Sequence, residues 1–317
     1  MYKRLPIALL VCLISTLPLS AGNGSHYTVP RTEHGHPDIQ GAWATAFLTM
    51  LERPDGVPNL VATPEEAQKL AAMIRAGIPA VVDPDVQWND IQRLAMVKGE
   101  FRTSQIVDPD DGRLPFTDAG RELAARVLAQ HSEGVDDIEQ RPLAERCLEN
   151  LGYAPMRTVP VFLPRQIVQT RDAVMISSED SAGVRVIHLS GEPPPPTITS
   201  VGGYSMGHWE GDTLVVATTH LRAADPARGG IGRPLLLSPR SRIMERFTRI
   251  SPTELFYQFT VEDDELYTRA WSGEFSMTRY DGPMFEYACH EANYSLPNIL
   301  RGGQAEAARA AAQTQPH

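Results

Sequence analysis

Cysteine is scarce in this chain and basic residues are few, and each shortage excludes certain classes of protein. Three cysteines occur in 317 residues, and 39 acidic residues outnumber 29 basic ones, which gives a formal net charge of −10. An acidic chain without a basic cluster repels phosphate backbones, so we expect no nucleic-acid partner. At 42 % hydrophobic and 21 % charged residues, the composition is that of a globular protein.

Long apolar runs are also missing, except for one at the N-terminus. Lys3 and Arg4 precede an apolar run from Leu5 to Leu19, and small residues follow at positions 20–22. The run is short for a transmembrane helix, and the pattern is typical of a cleaved secretory signal peptide. Its removal deletes Lys3 and Arg4 and no acidic residue, so the net charge goes from −10 to −12. We therefore predict a periplasmic or secreted protein without membrane insertion after signal removal.

Export also decides how the cysteines are interpreted. Cys12 lies in the signal peptide, which leaves Cys147 and Cys289 in the mature chain. Two thiols in an oxidising compartment predict one disulfide. Two buried free thiols are the alternative. A zinc site is favoured less, because neither cysteine has a cysteine close by, although His290 adjoins Cys289.

The motifs that identify several common enzyme classes are absent from the sequence. It has no Gly-rich phosphate loop, no G-x-S-x-G elbow and no H-E-x-x-H. His34 and His36 form a His-x-His pair, but no third ligand is evident. We therefore predict neither a cofactor nor a metal.

What the sequence does contain is a dense strand pattern over residues 204–294. Runs rich in Val, Thr, Phe and Tyr are separated by the turn compositions EGD, SPTE, DDE and YDG. These runs predict about five strands. Three more are predicted around 165–170, 173–179 and 184–189, the last two joined by a Glu-Asp-Ser-Ala-Gly turn. Eight or so antiparallel strands without intervening helices predict a lipocalin-like β-barrel, closed or nearly so, or a two-layer sandwich.

Three helices are predicted before the strands. The first is capped by Thr63, begins at Pro64 and ends at Gly77. The second begins near Thr117 and ends near His131. The third begins at Pro142 and is expected to be linked to the strand region by the disulfide of Cys147. Their inward apolar residues are predicted to be Leu70, Met73 and Ile74 in the first, Leu123, Val127 and Leu128 in the second, and Leu143, Cys147, Leu148 and Leu151 in the third.

These segments predict a mainly β protein with an N-terminal helical and irregular region, an α+β organisation. Residues 1–22 are the signal peptide, and residues 23–160 are a loop and helical region that packs on the barrel. Residues 161–295 form the antiparallel β-barrel domain. Residues 296–317 are an Ala-rich tail, either a frayed helix or a disordered end.

Polar side chains in the strand region favour acid–base chemistry. His208 and Glu210 share one strand face, where a histidine and a carboxylate can act as a base and its orienter. His220 ends the next strand on the face of Thr218 and is a candidate acid or base if it points into the barrel mouth; a surface or hydrogen-bonded structural histidine is the favoured interpretation. The residues predicted to supply the acid and the base are His208, Glu210, His220, His290, Glu179 and Arg246.

Residues 245–249 require a charge inside the barrel. Alternation puts Glu245, Phe247 and Arg249 on one face and Arg246 on the other, so either interior face carries a charged group. A buried charge needs a partner. Two interpretations remain: a polar pocket that faces a ligand, and an internal Arg–Glu brace across strands.

Aromatic and acidic residues near the end of the strand region have two interpretations each. Trp209, Tyr257, Tyr267 and Trp271 are predicted to bind substrate, with core packing as the alternative. The acidic turn at residues 262–265 is a hairpin tip or a metal site. His290 and Glu291, beside the predicted disulfide, form a proton-transfer pair or a polar seal against the third helix.

The chain resembles a widespread family of exported bacterial proteins of unknown function. The matching segments lie between Pro30 and Tyr294, and the family is not associated with an established activity. Two departures suggest a diverged site: members have Glu-x-x-His-Asp-x-Arg at residues 179–185 and DTTNF where this chain has ATTHL, with Ala217 and His220. The matching segments are PRTEHGHPDIQGAW, DGRLPFT, ERCL, QIVQ, GHWEGDTLVV, ERFTR, TVED, YT.AW and EYACHEANY.

Two functions are consistent with this sequence. The first is an exported, cofactor-independent enzyme of lyase, isomerase, cyclase or hydrolase type, acting on a small, largely uncharged molecule in a barrel pocket. The second is a non-catalytic, lipocalin-like binding protein for an apolar ligand. Several charged side chains converging in one cavity would favour the enzyme, and an apolar cavity would favour the binding protein.

Overall fold

Strands dominate the C-terminal half of the chain. The computed structural model describes residues 27–77, 91–132, 137–148, 150–160, 162–179, 183–222, 227–228 and 234–314. Its strands are β1 (Gly41–Thr45), β2 (Val61–Ala62), β3 (Ala95–Val97), β4 (Glu100–Arg102), β5 (Ile106–Asp108), β6 (Leu163–Gln169), β7 (Ala173–Ser178), β8 (Val184–His188), β9 (Tyr204–Glu210), β10 (Thr213–Thr219), β11 (Ala227–Arg228), β12 (Leu235–Leu236), β13 (Arg242–Ser251), β14 (Glu254–Glu262) and β15 (Trp271–Tyr280). Its helices are α1 (Pro64–Gly77), α2 (Asp118–Ser132), α3 (Cys289–Ala292) and α4 (Ser295–Thr314), with a 3-10 turn at Ile138–Gln140.

Nine of these strands close into a barrel. Their order is β1-β6-β7-β8-β9-β10-β13-β14-β15, and β15 pairs with β1 to complete the ring. This confirms the predicted β-barrel. All pairs are antiparallel except β8–β9, which run parallel. The strand β1 comes from outside the range 161–295, because the segment around Trp43 inserts between β6 and β15.

The first predicted helix is confirmed as α1. Thr63 accepts a hydrogen bond from the Glu66 amide at 3.3 Å, and the Glu66 carboxylate accepts one from the Thr63 amide at 2.9 Å. This reciprocal pair satisfies donors at the helix start that have no partner within the helix. Leu70 is buried as predicted, whereas Met73 is exposed, because the helix buries only a narrow stripe of Ala67, Leu70 and Ala71.

The second predicted helix is confirmed as α2, but the prediction of a third helix from Pro142 is wrong. In α2, Val127 is buried and Leu128 is exposed, contrary to the predicted stripe. Residues 143–147 form turns instead of a helix. Cys147 has a φ of +56°, in the left-handed region, which stops a right-handed helix after one turn. Leu148 is exposed as a result.

Alternate residues of the barrel strands point inward and form most of the core. On β13, Ile243, Glu245 and Phe247 are buried while Arg246 is exposed, as the alternation predicted. The inward residues of β13–β15 include five aromatic rings among aliphatic side chains. Those of β6–β10 are aliphatic in part and polar in part.

Two irregular segments cover the ends of the barrel. At one end, residues 30–40 place Ile39 in the core, and its amide donates to the Gln169 side chain at 2.7 Å. Arg249 donates to the carbonyl oxygen of Asp38 there, at 3.0 Å. At the other end lies a segment that we name the strap, residues 150–158. Its Ala154 and Met156 are buried among the barrel side chains.

A disulfide joins the strap end of the barrel to the C-terminal segment. Cys147 and Cys289 are bonded, with their Cα atoms 5.9 Å apart, as predicted. The Asn293 side-chain amide donates to the Glu145 carbonyl oxygen at 2.7 Å and supports the same junction. The Ala-rich tail is helical in α4. The predicted signal peptide and residues 180–182 of the predicted turn lie outside the described residues.

Candidate functional site

Five polar side chains from five adjacent strands meet inside the barrel at the strap end. We call them the polar cluster: Arg185 on β8, Ser205 on β9, Thr218 on β10, Glu245 on β13 and Tyr257 on β14. All five are buried. They come together because each occupies an inward position of its strand, and the five strands are consecutive in the ring.

Arg185 and Glu245 form the centre of the polar cluster. Arg185 Nη1 donates to Glu245 Oε1 at 2.9 Å, and Nη2 donates to Glu245 Oε2. Arg185 Nε and Nη2 also donate to Ser205 Oγ at 3.2 and 3.1 Å, and Nη2 donates to Thr218 Oγ1 at 3.1 Å. A planar guanidinium suits this bidentate geometry. Of the two interpretations of Glu245, the structure shows the internal Arg–Glu brace.

Tyr257 completes the polar cluster and links it to the strap. Its hydroxyl donates to Glu245 Oε1 at 2.7 Å and accepts from the Met156 amide at 2.7 Å. Burial, and then the charge of Glu245, raise the pKa of Tyr257 well above its usual value. Burial disfavours the charge on Arg185, but Glu245 more than offsets this and raises the pKa of Arg185. Tyr257 and Arg185 therefore act as hydrogen-bond donors and not as bases near neutral pH.

The strap meets the polar cluster through its backbone. Arg185 Nη1 donates to the Gly152 carbonyl oxygen at 3.3 Å, and Arg165 Nη2 donates to that of Arg157. The strap therefore occupies hydrogen-bonding positions that face the barrel interior. Near it, the Ser178 hydroxyl is buried and has no hydrogen-bond partner within the described residues.

An aromatic wall adjoins the polar cluster on β13 and β14. It consists of the inward rings of β13–β15, and each ring contacts at least one other with centroids 4.8–5.7 Å apart. Offset and edge contacts of this kind add to the stabilisation from burial. Tyr257 belongs to both groups and joins them. The aromatic wall is formed by Phe247, Tyr257, Phe259, Trp271 and Phe275.

Three of the four aromatic residues predicted to bind substrate lie in the barrel core. Tyr257 and Trp271 are in the aromatic wall, and Tyr267 stacks on Phe116 at 5.1 Å. The Tyr267 hydroxyl donates to the Leu236 carbonyl oxygen at 2.8 Å, and burial raises the pKa of Tyr267. The fourth, Trp209, is half-buried and stacks on His36 at 5.7 Å, at the opposite end of the barrel from the strap.

Three of the predicted acid–base residues come together on the outer surface of the barrel. His208 Nε2 lies 3.1 Å from Glu210 Oε1, and Arg246 Nη2 lies 3.0 Å from Glu210 Oε2. The hydrogen bond with His208, followed by the one with Arg246, lowers the pKa of Glu210. The structure thus provides the predicted histidine–carboxylate pair, but outside the barrel interior.

His220 does not point into the barrel mouth; it is a hydrogen-bonded structural histidine, the interpretation that the sequence favoured. Its φ of +62° turns the chain away from the strand, while Thr218 stays inside. Its ring contacts Tyr204 at 6.2 Å, and Nε2 lies 3.1 Å from the Pro194 carbonyl oxygen. Because Ser205 points inward, its neighbour Tyr204 points outward, and His220 lies on the outer surface.

The remaining predicted acid–base residues contact or belong to residues 285–290, the segment that carries Cys289. Glu179 Oε2 accepts from the Phe285 amide at 2.9 Å. His290 is exposed in α3, next to Cys289. The predicted acid–base residues therefore form three separate groups, at Glu210, at His220 and at residues 285–290.

The acidic turn is organised by one buried carboxylate. Asp263 accepts from the amides of Ser238, Glu265 and Leu266 at 3.0–3.1 Å and from the Ser241 hydroxyl. The other three acids of the turn are exposed, as expected of a solvated hairpin tip, and Asp263 is the exception. The residues that the structure describes contain no group of three or more His, Cys, Asp or Glu side chains arranged to hold a metal ion.

The prediction did not include Arg185, Ser205 and Thr218 among the site residues. Alternation in the segment VRVIH places Arg185 on the same face as the buried Ile187, and this signal could have identified an interior arginine. Nothing local to the sequence links Arg185 to Glu245, because the two residues are 60 positions apart.

Comparisons with known proteins give no assignment. A scan against models of protein families finds no match to this chain, and a search of curated proteins finds none either. Among the described helices, none combines the length and the hydropathy that crossing a bilayer requires. The resemblance to exported bacterial proteins therefore stays a prediction.

Proposed function

We propose that this protein is a lipocalin-like binding protein that takes a small, largely apolar molecule with a polar group into its barrel. The observation that supports this is the mixed interior: the aromatic wall offers ring surfaces, and the polar cluster that adjoins it offers hydrogen bonds. Small-molecule sites in barrels are mostly apolar with a few fixed polar groups.

The polar cluster suits binding better than proton transfer. Its carboxylate, Glu245, is held by Arg185 and Tyr257, and both of those groups stay protonated near neutral pH. The predicted acid–base residues lie outside the interior. A ligand enters this space by displacing side chains of the strap, such as Met156, whose flexible thioether chain adapts readily.

Binding is tested by titrating folded protein with N-phenyl-1-naphthylamine, an uncharged fluorophore, and by mass spectrometry of molecules extracted from purified protein. We expect saturable binding with one probe per barrel. Val216→Phe adds a ring inside the barrel and should weaken binding, whereas Ala217→Phe adds it on the outer face and should not. Circular dichroism checks that both variants fold. No saturable binding and no extracted molecule would overturn the proposal.

We propose as the second candidate the exported acid–base enzyme of lyase, isomerase, cyclase or hydrolase type. The supporting observation is the histidine–carboxylate pair of His208 and Glu210, with Arg246 on the other carboxylate oxygen. A positioned carboxylate orients an imidazole for proton transfer. Turnover of an uncharged ester such as p-nitrophenyl acetate should fall in His208→Ala, and in His220→Ala or His290→Ala if those residues contribute. Equal rates in all three variants and the parent chain would reject these assignments.

We propose further that the mature protein is periplasmic or secreted. The Cys147–Cys289 disulfide supports this, because structural disulfides persist in oxidising compartments. N-terminal sequencing of the protein made in a bacterial host should find a new terminus near residue 22. A retained Met1 would argue against export.

A further inference from the structure

The barrel wall is least complete between β8 and β9. Within the part of the chain that the structure describes, these strands pair at two positions, Ile187 with Ser205 and His188 with Met206, and they run parallel. The neighbouring pairing of β9 with β10 extends over seven positions, from Thr213 to Thr219 on β10. A short ladder leaves few backbone hydrogen bonds to hold the wall together, so local opening costs least there.

Side chains hold this short ladder from both faces. Inside, Arg185 Nε and Nη2 on β8 donate to Ser205 Oγ on β9 at 3.2 and 3.1 Å. Outside, the rings of His188 and Tyr204 stack with centroids 4.6 Å apart and an interplanar angle of 11°. Because side-chain contacts replace most of the backbone pairing here, β8 and β9 can separate without breaking a long series of backbone hydrogen bonds.

The strap covers the same junction. The Asn150 side-chain amide donates to the Gly183 carbonyl oxygen at 3.2 Å, just before β8. The Gly152 carbonyl oxygen accepts from Arg185 Nη1 at 3.3 Å. The Tyr153 ring lies against Gly202, just before β9, where an added Cβ would be 2.8–3.0 Å from ring atoms. The first residues of the strap therefore span the junction from β8 to β9.

We propose that the β8–β9 junction, with the strap over it, is the portal through which a small molecule reaches the barrel interior. This inference deepens the proposed binding function and rests on it. The polar cluster lies directly behind the portal, since Arg185 is at once the residue that closes the junction and the partner of Glu245. A ligand that enters there meets hydrogen-bond donors first and the aromatic wall behind them.

Amide hydrogen exchange tests the opening without any ligand. The amides of β8 and of residues 204–207 should exchange about tenfold or more faster than those of β13 and β14, whose ladder is the longest in the barrel. Equal protection in the two regions would overturn the portal.

A cross-link across the junction tests passage. His188→Cys with Met206→Cys pairs two register partners on the outer face of β8 and β9, and Met206→Cys with Ala217→Cys does the same for β9 and β10. Oxidation of the first pair should slow the uptake of N-phenyl-1-naphthylamine about tenfold in stopped-flow fluorescence, with little change in affinity. The second pair should have no effect. Unchanged uptake in both oxidised proteins would overturn the portal.

The two proposals fail separately. If the unmodified protein neither binds the probe nor yields an extracted molecule, the binding function is rejected, and exchange alone decides whether the junction opens. If the probe binds and enters the cross-linked protein at the original rate, the function stands and the portal is rejected.

Discussion

Arg185 and Glu245 face each other inside the barrel as a bidentate ion pair, with 2 % and 0 % of their side chains exposed. They belong to β8 and β13, which are separated in the ring by β9 and β10. Taking two charges out of water costs free energy that only close, fully hydrogen-bonded geometry offsets. The pair therefore fixes the relative position of four strands at the strap end.

We predict that breaking this pair destabilises the protein strongly. Arg185→Met leaves the Glu245 carboxylate buried without its cation, and Glu245→Gln leaves the guanidinium without its anion. Either change should lower the free energy of unfolding by about 3–5 kcal/mol. The double variant Arg185→Met/Glu245→Met should lose less than the sum of the single changes, because no charge remains unpaired. Urea unfolding measures all of them.

The outer surface supplies the control for this prediction. Arg246 and Glu210 also form an ion pair, but 45 % and 49 % of their side chains are exposed, so water screens it. Arg246→Met should change stability far less than Arg185→Met. Similar losses at the two sites would contradict the view that burial sets the cost.

We predict opposite effects for two serines near the strap. The Ser178 hydroxyl is buried without a hydrogen-bond partner within the described residues, so Ser178→Ala removes an unsatisfied group and should be neutral or stabilising. The Ser205 hydroxyl accepts from Arg185, so Ser205→Ala should cost about 1–3 kcal/mol. Thermal unfolding of the two variants side by side checks the difference. A larger loss for Ser178→Ala than for Ser205→Ala would be inconsistent with these contacts.

The strands of the barrel could be predicted because their signals are local. Alternation on β13 correctly placed Glu245 and Phe247 on the face opposite Arg246, and short turn compositions marked the hairpins. The helix at Pro64 was equally local, since Thr63 and Glu66 form its cap within four residues. Features that depend on residues close together in the chain could therefore be predicted from the sequence.

The site could not be predicted because it depends on which strands are neighbours in space. Arg185 was not assigned a role, since its partner Glu245 becomes visible only when β8 and β13 are placed in one ring. The barrel-mouth interpretation of His220 failed because the positive φ of this residue ends the alternation on which that interpretation depended. The turn at Cys147 has the same cause: helical spacing is present, but the backbone leaves the helical region there.

We predict that the Glu210 carboxyl titrates below its usual range, because His208 and then Arg246 stabilise the ionised form. A lowered folded-state pKa favours folding above the ordinary value of 4.5, and this contribution is lost as the pH falls through the folded-state pKa. Carboxyl chemical shifts followed by NMR from pH 7 downward should show this low midpoint. His208→Ala and Arg246→Met should each move it upward, and an unchanged midpoint in both would refute the assignment.

We predict that the Cys147–Cys289 disulfide stabilises the strap end of the barrel. It closes a loop across 142 positions, and on the chain-entropy account loss of such a cross-link costs about 2–5 kcal/mol. The variant Cys147→Ser/Cys289→Ser should unfold at lower urea concentration, and amides of the strap should lose more exchange protection than those of β13 and β14, because Cys147 lies three positions before Asn150. Wild-type protein reduced with a phosphine should behave like the variant. If the phosphine destabilises the wild type and leaves the double-serine variant unchanged, the loss of stability is due to this disulfide. Equal stability of oxidised and reduced wild type would contradict the prediction. The contacts of Asn293 and Met156 would then hold the strap end without the disulfide.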